Sequence, residues 1–354
     1  MPAATRPQVV QLDGLVLLKI IAHSRDALPD VVSGQLLGLD IGSKLEVTNA
    51  FPFPLGLNEA DSDAYQLEMM RHLRTVNVDN NTVGWYQSAY LGTFFDQGLL
   101  EAQYTYQRHI PASVVVVYDP FQTSKGRLVL KAFRLSDEFM RVFGASTAGS
   151  EARPKFSYEE FNKLGLDSSD IFQQVPIKVH NSHLVHGFLY ELREEKQNAR
   201  TLVDVDRHWA SNLGRVELPV ASFLDKSLNM LGTTIENYSQ EQGKFQFFLR
   251  ALARQKAQQA EYRQKRAAES EARVAAGKEP LYVTEEELAR HPLFKPLAKP
   301  NRLDTYLLSN QIGYYADVVG QVAGLNFQKL YLVEALHKKQ QQQQQAQQDE
   351  AQAQ

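Results

Sequence analysis

Three histidines, His180, His183 and His186, stand three residues apart, and an acidic run of Glu59, Asp61 and Asp63 is followed by His72 and Asp96. Imidazoles and carboxylates are the side chains that hold a divalent cation or move a proton, so spacing decides whether these can act together. The histidines follow Val175, Ile177 and Val179, which alternate as in a strand. Residues three apart in a strand point to opposite faces, so the rings read as ordinary surface histidines. None of the acidic residues has a second ligand at His-x-His spacing. Gly144-x4-Gly149-Ser150 imitates the spacing of a phosphate-binding loop, but it lacks the lysine, and no apolar strand leads into it. Cysteine is absent, which excludes a disulfide framework, Cys-ligated zinc and a thiol nucleophile, and fits a reducing compartment.

The bulk properties narrow the field further. The chain has 354 residues, 43% hydrophobic content and a net charge of −3, so no basic excess suggests general nucleic-acid affinity. Lys244, Arg250, Arg254, Lys256, Arg263, Lys265 and Arg266 form a local basic stretch, diluted by Glu261, Glu269 and Glu271, and read as a solvated helix face. No apolar run approaches the ~18 residues of a membrane span. Residues Met1 to Pro7 lack the apolar core of a signal peptide. The expectation is a cytoplasmic protein without cofactor or metal.

The elements that would position any chemistry begin with a compact α/β unit over residues 8–143. Leu15 to Ala22 is a buried strand or helix, which periodicity does not decide. Gly34–Gly38 and Lys44–Phe51 read as strands joined by a turn at Gly42-Ser43. Tyr65, Met69 and Leu73 mark an amphipathic helix over 61–74. Thr82–Tyr86 is a short strand and Phe94–Gln107 a helix; Ser113–Tyr118 and Arg127–Arg134 pair as a hairpin, and a helix from Asp137 stops at Gly144. Residues 144–156 read as a linker or loop, and 157–215 as associated strands and loops, with strand character from Ile171 to Leu192.

Beyond residue 216 the periodicity changes. Leu224, Leu228, Leu231, Ile235, Tyr238, Phe245, Leu249 and Leu252 follow steps of three and four, broken only at Gln242, within a long helix over 216–276. An irregular stretch over 277–300 precedes bundle helices over 301–339. The first carries Leu308, Ile312, Tyr315, Val319 and Val322, and a further helix starts after Gly324. Residues 340–354, nearly all Gln and Ala, read as a disordered tail or frayed helix. The two seams are candidate partner interfaces, with packing inside the chain as the alternative.

Val83-Gly-Trp-Tyr-Gln-Ser-Ala-Tyr90, Val47-Thr-Asn-Ala-Phe-Pro-Phe-Pro54, Val115-Val-Val-Tyr-Asp-Pro120 and Gly126 to Leu135 occur in the order of the MPN/JAMM family, which the chain resembles. That resemblance implies an α/β MPN domain, a mixed central sheet with flanking helices, followed by a C-terminal helical-bundle segment. Catalytic members carry an upstream Glu as general base and a His-x-His-x7-Ser-x-x-Asp pattern whose two His and Asp hold zinc. Set on Gly84-Trp85-Tyr86, the histidine positions fall on Gln87 and Ala89, the serine on Gln97, the aspartate on Leu100 and the upstream glutamate on Val31. The implication is a pseudo-metalloprotease with neither catalytic residue nor metal. Trp85 is expected to plug the core beside the emptied cleft.

Gln87-Ser88, Leu99 to Gln107, Ile171 to Leu184 and the helical C-terminal third are similar to non-catalytic MPN subunits of eukaryotic translation initiation factor three. Such a subunit would pair with a second MPN subunit, f, and reach PCI subunits through its C-terminal helices. It would meet the small ribosomal subunit indirectly and would not bind a membrane. Scaffold subunits of the proteasome lid and the COP9 signalosome share the architecture, and a zinc isopeptidase is the remaining alternative.

Overall fold

The computed structural model describes residues 6–54, 56, 59–124, 128–147, 165, 167–198, 223–275, 297 and 300–352. The N-terminal elements, in order, are β1 (Val9–Asp13), α1 (Gly14–Asp26), β2 (Ser33–Ile41), β3 (Lys44–Pro52), α2 (Glu59–Thr75), β4 (Thr82–Ser88), α3 (Gln97–His109), β5 (Val114–Tyr118), α4 (Pro120–Ser124), β6 (Leu130–Leu135) and α5 (Asp137–Thr147). A short 3-10 turn (Ser168–Asp170), β7 (Phe172–Val175), β8 (Ile177–His180), α6 (His183–Asn198), α7 (Asp225–Ala275) and α8 (Leu303–Gln352) follow.

The strands form one mixed sheet in the order β7-β6-β5-β4-β2-β3-β1-β8. β1–β3, β1–β8 and β4–β5 pair in parallel, and the other neighbours are antiparallel. β7 and β8 are the two opposite edges, yet only Pro176 separates them in sequence. Val10 N donates to Pro176 O at 3.0 Å. The edges therefore meet, and the sheet curls almost into a barrel, which leaves little open edge for a foreign strand. These strands lie beyond residue 143 but complete the sheet.

β5 shows how the sequence builds two cores. Every residue of Val114-Val-Val-Val-Tyr118 is buried, as for a strand covered on both faces. Val114, Val116 and Tyr118 enter one apolar cluster with Val16 and Ile20 of α1 and Leu36, Val47 and Tyr86; Val115 and Val117 enter the other with Trp85, Leu99, Leu100, Phe133 and Phe139. This is the two-residue alternation of a pleated strand. Gly84 is needed where β4 meets β5, because a Cβ there would overlap Val114 O.

The second cluster is completed from far along the chain by Phe223 and by Leu303, Leu307, Tyr314, Tyr315, Val318 and Val322 of α8. α7 and α8 run antiparallel: Arg302 contacts Gln242 and Phe245, while Leu307 and Leu308 share a cavity wall with Asn237 and Gln240. The helical third thus packs on the sheet domain through its first α8 turns.

Leu15 to Ala22, which periodicity leaves open, is helical, because Val16 and Ile20 at i, i+4 face the sheet, while Leu15 and Leu18 are exposed rather than buried. Other expectations are corrected. Gly144 does not end α5, which runs to Thr147. Strand character stops at His180, and α6 begins at His183 where Ser182 Oγ accepts Val185 N at 3.3 Å. Gly324 does not divide two helices. α8 is continuous from Leu303, and a helical Gly costs only about 1 kcal/mol relative to Ala, too little to end it. The same helix continues through the Gln-rich segment to Gln352. Of the expected linker 144–156, residues 148–156 lie outside the described residues, as do 199–222 and most of 277–300.

Candidate functional site

The cleft expected at the end of β4 is built by β2, β4, the loop after β4 and α3. Ser88 ties β4 to the start of β2: Val32 N donates to Ser88 Oγ at 2.9 Å, and Ser88 N to Val32 O at 2.8 Å. Val31 is therefore held beside this strand end with its side chain exposed. Gln87 is half-buried between Ser33 and Val117 in register. Ala89 N donates to Tyr118 O at 2.8 Å, which buries the Ala89 methyl in the cluster that also holds Leu100. Gln97 begins α3 and is half-buried, its Nε2 donating to Glu101 Oε1 at 2.6 Å. Folding thus brings Ala89 and Leu100 together in the core and leaves Gln97 outside that cluster, in the wall of a cavity with Asn237 and Leu308. Among the described residues, no group of three or more His, Cys, Asp or Glu side chains could hold a metal ion.

The nearby polar side chains are committed to structure. Asp96 caps α3, Oδ1 accepting Leu99 N at 2.8 Å. Trp85 lies in the core, stacked on Tyr106 with ring centroids 6.0 Å apart. His23 Nδ1 lies 3.0 Å from Tyr86 OH. Burial lowers the His23 pKa, with Asp26 opposing, and burial raises that of Tyr86, with Tyr65 adding to it. Asp119 is buried, which raises its carboxyl against hydrogen bonds from Gln122 and Phe121. His180 lies on β8, 3.6 Å from Asp13, while His183 and His186 lie on α6.

The seam residues divide into three groups. Tyr315 and Val322 are buried against the sheet domain. Leu224, Leu231, Tyr238, Phe245, Leu252, Leu308, Ile312 and Val319 are half-buried. Leu228, Ile235 and Leu249 are 46%, 48% and 45% exposed. The inward face of the chain around α7 instead runs through Phe223, Ser227 and Thr234. The chain therefore carries two stripes on α7, one spent internally and one open. Leu228, Ile235 and Leu249 keep heptad spacing, and the place between the last two is Gln242, which is half-buried and accepts from Arg302 rather than standing open. Sequence reasoning merged the two because their positions interleave.

Two further apolar surfaces were not singled out by periodicity. One is α6, with Leu184, Phe188 and Tyr190 exposed. Asn181, two residues before its start, abuts Gly14 at the start of α1, whose Leu15 and Leu18 are exposed. The other is the α8 stretch with Phe327, Leu330 and Tyr331 exposed. Clustered exposed apolar side chains on a helix mark candidate interaction sites.

The sheet, its Gly84-Trp85-Tyr86 strand and the appended helices define an MPN-domain protein with a helical C-terminal region. The family described as JAB1/Mov34/MPN/PAD-1 ubiquitin protease matches residues 5–112, and that described as the C-terminal region of eIF3h matches residues 123–342. The H subunit of eukaryotic translation initiation factor 3 from Arabidopsis thaliana is 44% identical over 336 residues, covering 93% of each chain. Its counterpart in Nematostella vectensis is 39% identical over 339 residues, covering 94% of this chain and 95% of its own. That of Dictyostelium discoideum is 40% identical over 335 residues, covering 93% and 95%. The chain belongs to the eIF3h family, the H subunits of eukaryotic translation initiation factor 3. No helix among the described residues is long and apolar enough to cross a membrane.

Proposed function

We propose that the chain is a non-catalytic scaffold subunit of the PCI/MPN core of initiation factor 3, acting in the cytoplasm. Through that core it supports recruitment of mRNA and initiator tRNA to the small ribosomal subunit, which it meets only indirectly. The observation that carries the scaffold reading is the open heptad stripe of Leu228, Ile235 and Leu249 on a helix whose other stripe is already buried. Such a stripe is satisfied by a partner helix.

Each surface suggests its own partner. The apolar face of α1 and α6, with Leu15, Leu18, Leu184 and Phe188, suits pairing with a second MPN subunit, f. The open α7 stripe and the exposed α8 stretch suit helices of the PCI subunits. The domain division follows the same logic, with an MPN unit presenting one face and the helices the other.

The cleft supports the absence of catalysis. Mononuclear zinc hydrolysis needs three protein ligands and a base for the bound water. A Gln87 amide oxygen is a poor zinc ligand, Ala89 and Leu100 have no lone pair, and Val31 takes no proton. Purifying the tagged full-length chain from cytosolic extract and identifying its companions tests the reading. Recovery of initiation factor 3 subunits in stoichiometric amount supports it. Recovery of proteasome-lid or COP9-signalosome subunits without translation factors overturns it, as does stoichiometric zinc with cleavage of ubiquitin chains.

A further inference from the structure

We propose that Gln311 is a catch that locks the α7–α8 hairpin and the MPN domain into one rigid body, so that a partner gripping the open α7 stripe also fixes the orientation of the MPN domain. Gln311 lies on the buried face of α8 and is 4% exposed. Its Nε2 donates to Gly92 O at 2.8 Å, and its Oε1 accepts from Phe95 N at 3.2 Å and Phe94 N at 3.4 Å. One carboxamide thus satisfies three backbone groups of the loop that joins β4 to α3. A buried backbone group left unpaired is costly, so this loop is complete only when α8 is docked.

Neighbouring contacts are built for the same register. Gly92 adopts φ +78, and a Cβ there would come 2.6 Å from the Tyr314 ring, so glycine lets the loop meet the helix. Tyr315 OH lies 3.4 Å from Thr93 Oγ1. From the other side, Gln122 Nε2 donates to Tyr314 OH at 3.1 Å and to Asp119 Oδ2 at 2.9 Å. The ring of Tyr314 packs edge-on against Phe94 with centroids 4.9 Å apart. Polar and apolar contacts of Gln311, Tyr314 and Tyr315 therefore fix one position of α8 along the loop, where an apolar seam alone would tolerate sliding. Leu228, Ile235 and Leu249 of the open stripe stay exposed with α8 docked, so a partner can reach them in this register.

The native chain lacks cysteine, so spin labels can be placed at Asp40→Cys on the sheet and Glu236→Cys on α7, both exposed positions. Double electron–electron resonance on the full chain is expected to give one narrow distance distribution. A broad or bimodal distribution in the otherwise native chain overturns the proposal without recourse to any further variant. Gln311→Met keeps the side-chain volume but removes all three hydrogen bonds. It is expected to widen the distribution and to accelerate amide exchange at Phe94 and Phe95 about tenfold relative to the sheet amide of Val116. Unchanged distances overturn the proposal even if exchange rises, because the contact would then be local. Unchanged exchange overturns it because the carboxamide would then not hold the loop. Neither measurement involves partner subunits, so failure here leaves the scaffold reading standing, and failure of the scaffold reading leaves this one.

Discussion

Trp85 Nε1 donates to Gln103 Oε1 at 2.9 Å, inside a core that excludes water. The same glutamine donates from Nε2 to Ser113 O at 3.1 Å and Gln107 Oε1 at 3.3 Å, and Gln107 in turn exchanges two hydrogen bonds with Leu135. β4, α3 and β6 are thereby joined by a buried line of amides. A Trp side chain fits a core only where its N–H finds a partner, and here α3 supplies it.

Gln103→Leu should therefore destabilise the MPN domain by about 2–4 kcal/mol, since it strands the Trp85 N–H and the Ser113 carbonyl. Urea unfolding followed by Trp fluorescence measures this. A change below about 0.5 kcal/mol would mean the network is dispensable.

The interior role of Ala89 and Leu100 sets what a reconstruction of zinc chemistry would do. Gln87→His with Ala89→His supplies two imidazoles, but Val31 still offers no base and Leu100 no third ligand. Ala89 is buried, so a ring at that position overpacks the cluster shared with Leu100, at about 1–3 kcal/mol. The double variant should be less stable, should bind zinc substoichiometrically by metal analysis and should not cleave ubiquitin chains.

The sequence marks residues 8–143 as a compact unit, and in the structure one of its two core clusters is shared with α8. Removing residues 303–354 takes Leu303, Leu307, Tyr314, Tyr315, Val318 and Val322 from the cluster that contains Trp85, Phe94 and Phe133. The truncated chain should expose that apolar surface, bind a hydrophobic dye and aggregate, besides leaving its complex. A monomeric truncated chain with a native Trp85 emission spectrum would refute the shared core.

Point substitutions separate the internal contact of α8 from the open stripe of α7. Tyr315→Ala should cost about 3–5 kcal/mol of the protein's own stability. Ile235→Asp with Leu249→Asp changes exposed positions, so own stability should shift by about 1 kcal/mol or less. That pair should instead abolish co-purification with other subunits. Loss of stability in the second case, or intact assembly, would mean the open stripe is not an interface.

What could be read from the sequence followed local rules. The Gly42-Ser43 turn, the amphipathic spacing of Tyr65, Met69 and Leu73, and the alternation of the strands all act over a few residues. Gln242 reads in the sequence only as a fault in an apolar seam; its Oε1 accepts from Arg302 Nη1 at 3.3 Å, and the Arg302 guanidinium lies 4.1 Å from the Phe245 ring centroid. The fault is the register mark of the α7–α8 pair. The docking of Gln311 on Gly92 joins positions 219 residues apart, and no periodicity records such a pair. The closure of the sheet by β7 and β8 was hidden for the same reason. The five cleft positions were legible only by family resemblance, because Val, Gln, Ala and Leu carry no chemistry of their own.

A pH dependence follows from His23. Its imidazole is held neutral in the fold because burial lowers its pKa below the ordinary 6.5, more than Asp26 raises it. Neutral imidazole with its proton on Nε2 can accept from Tyr86 OH at Nδ1, and burial pushes the Tyr86 pKa up, so the phenol keeps its proton. In the unfolded chain His23 takes up a proton as pH falls through 6.5, while in the folded chain it does so only at lower pH. The unfolded state binds more protons in that window, so stability must fall with pH there. Above 6.5 both states hold neutral imidazole, and the contribution is flat. His23→Gln, which can still meet the Tyr86 hydroxyl but does not titrate, should remove part of the slope of urea midpoint against pH below 6.5 and leave the plateau above it nearly unchanged. An identical slope in the variant would place the acid sensitivity elsewhere in the fold.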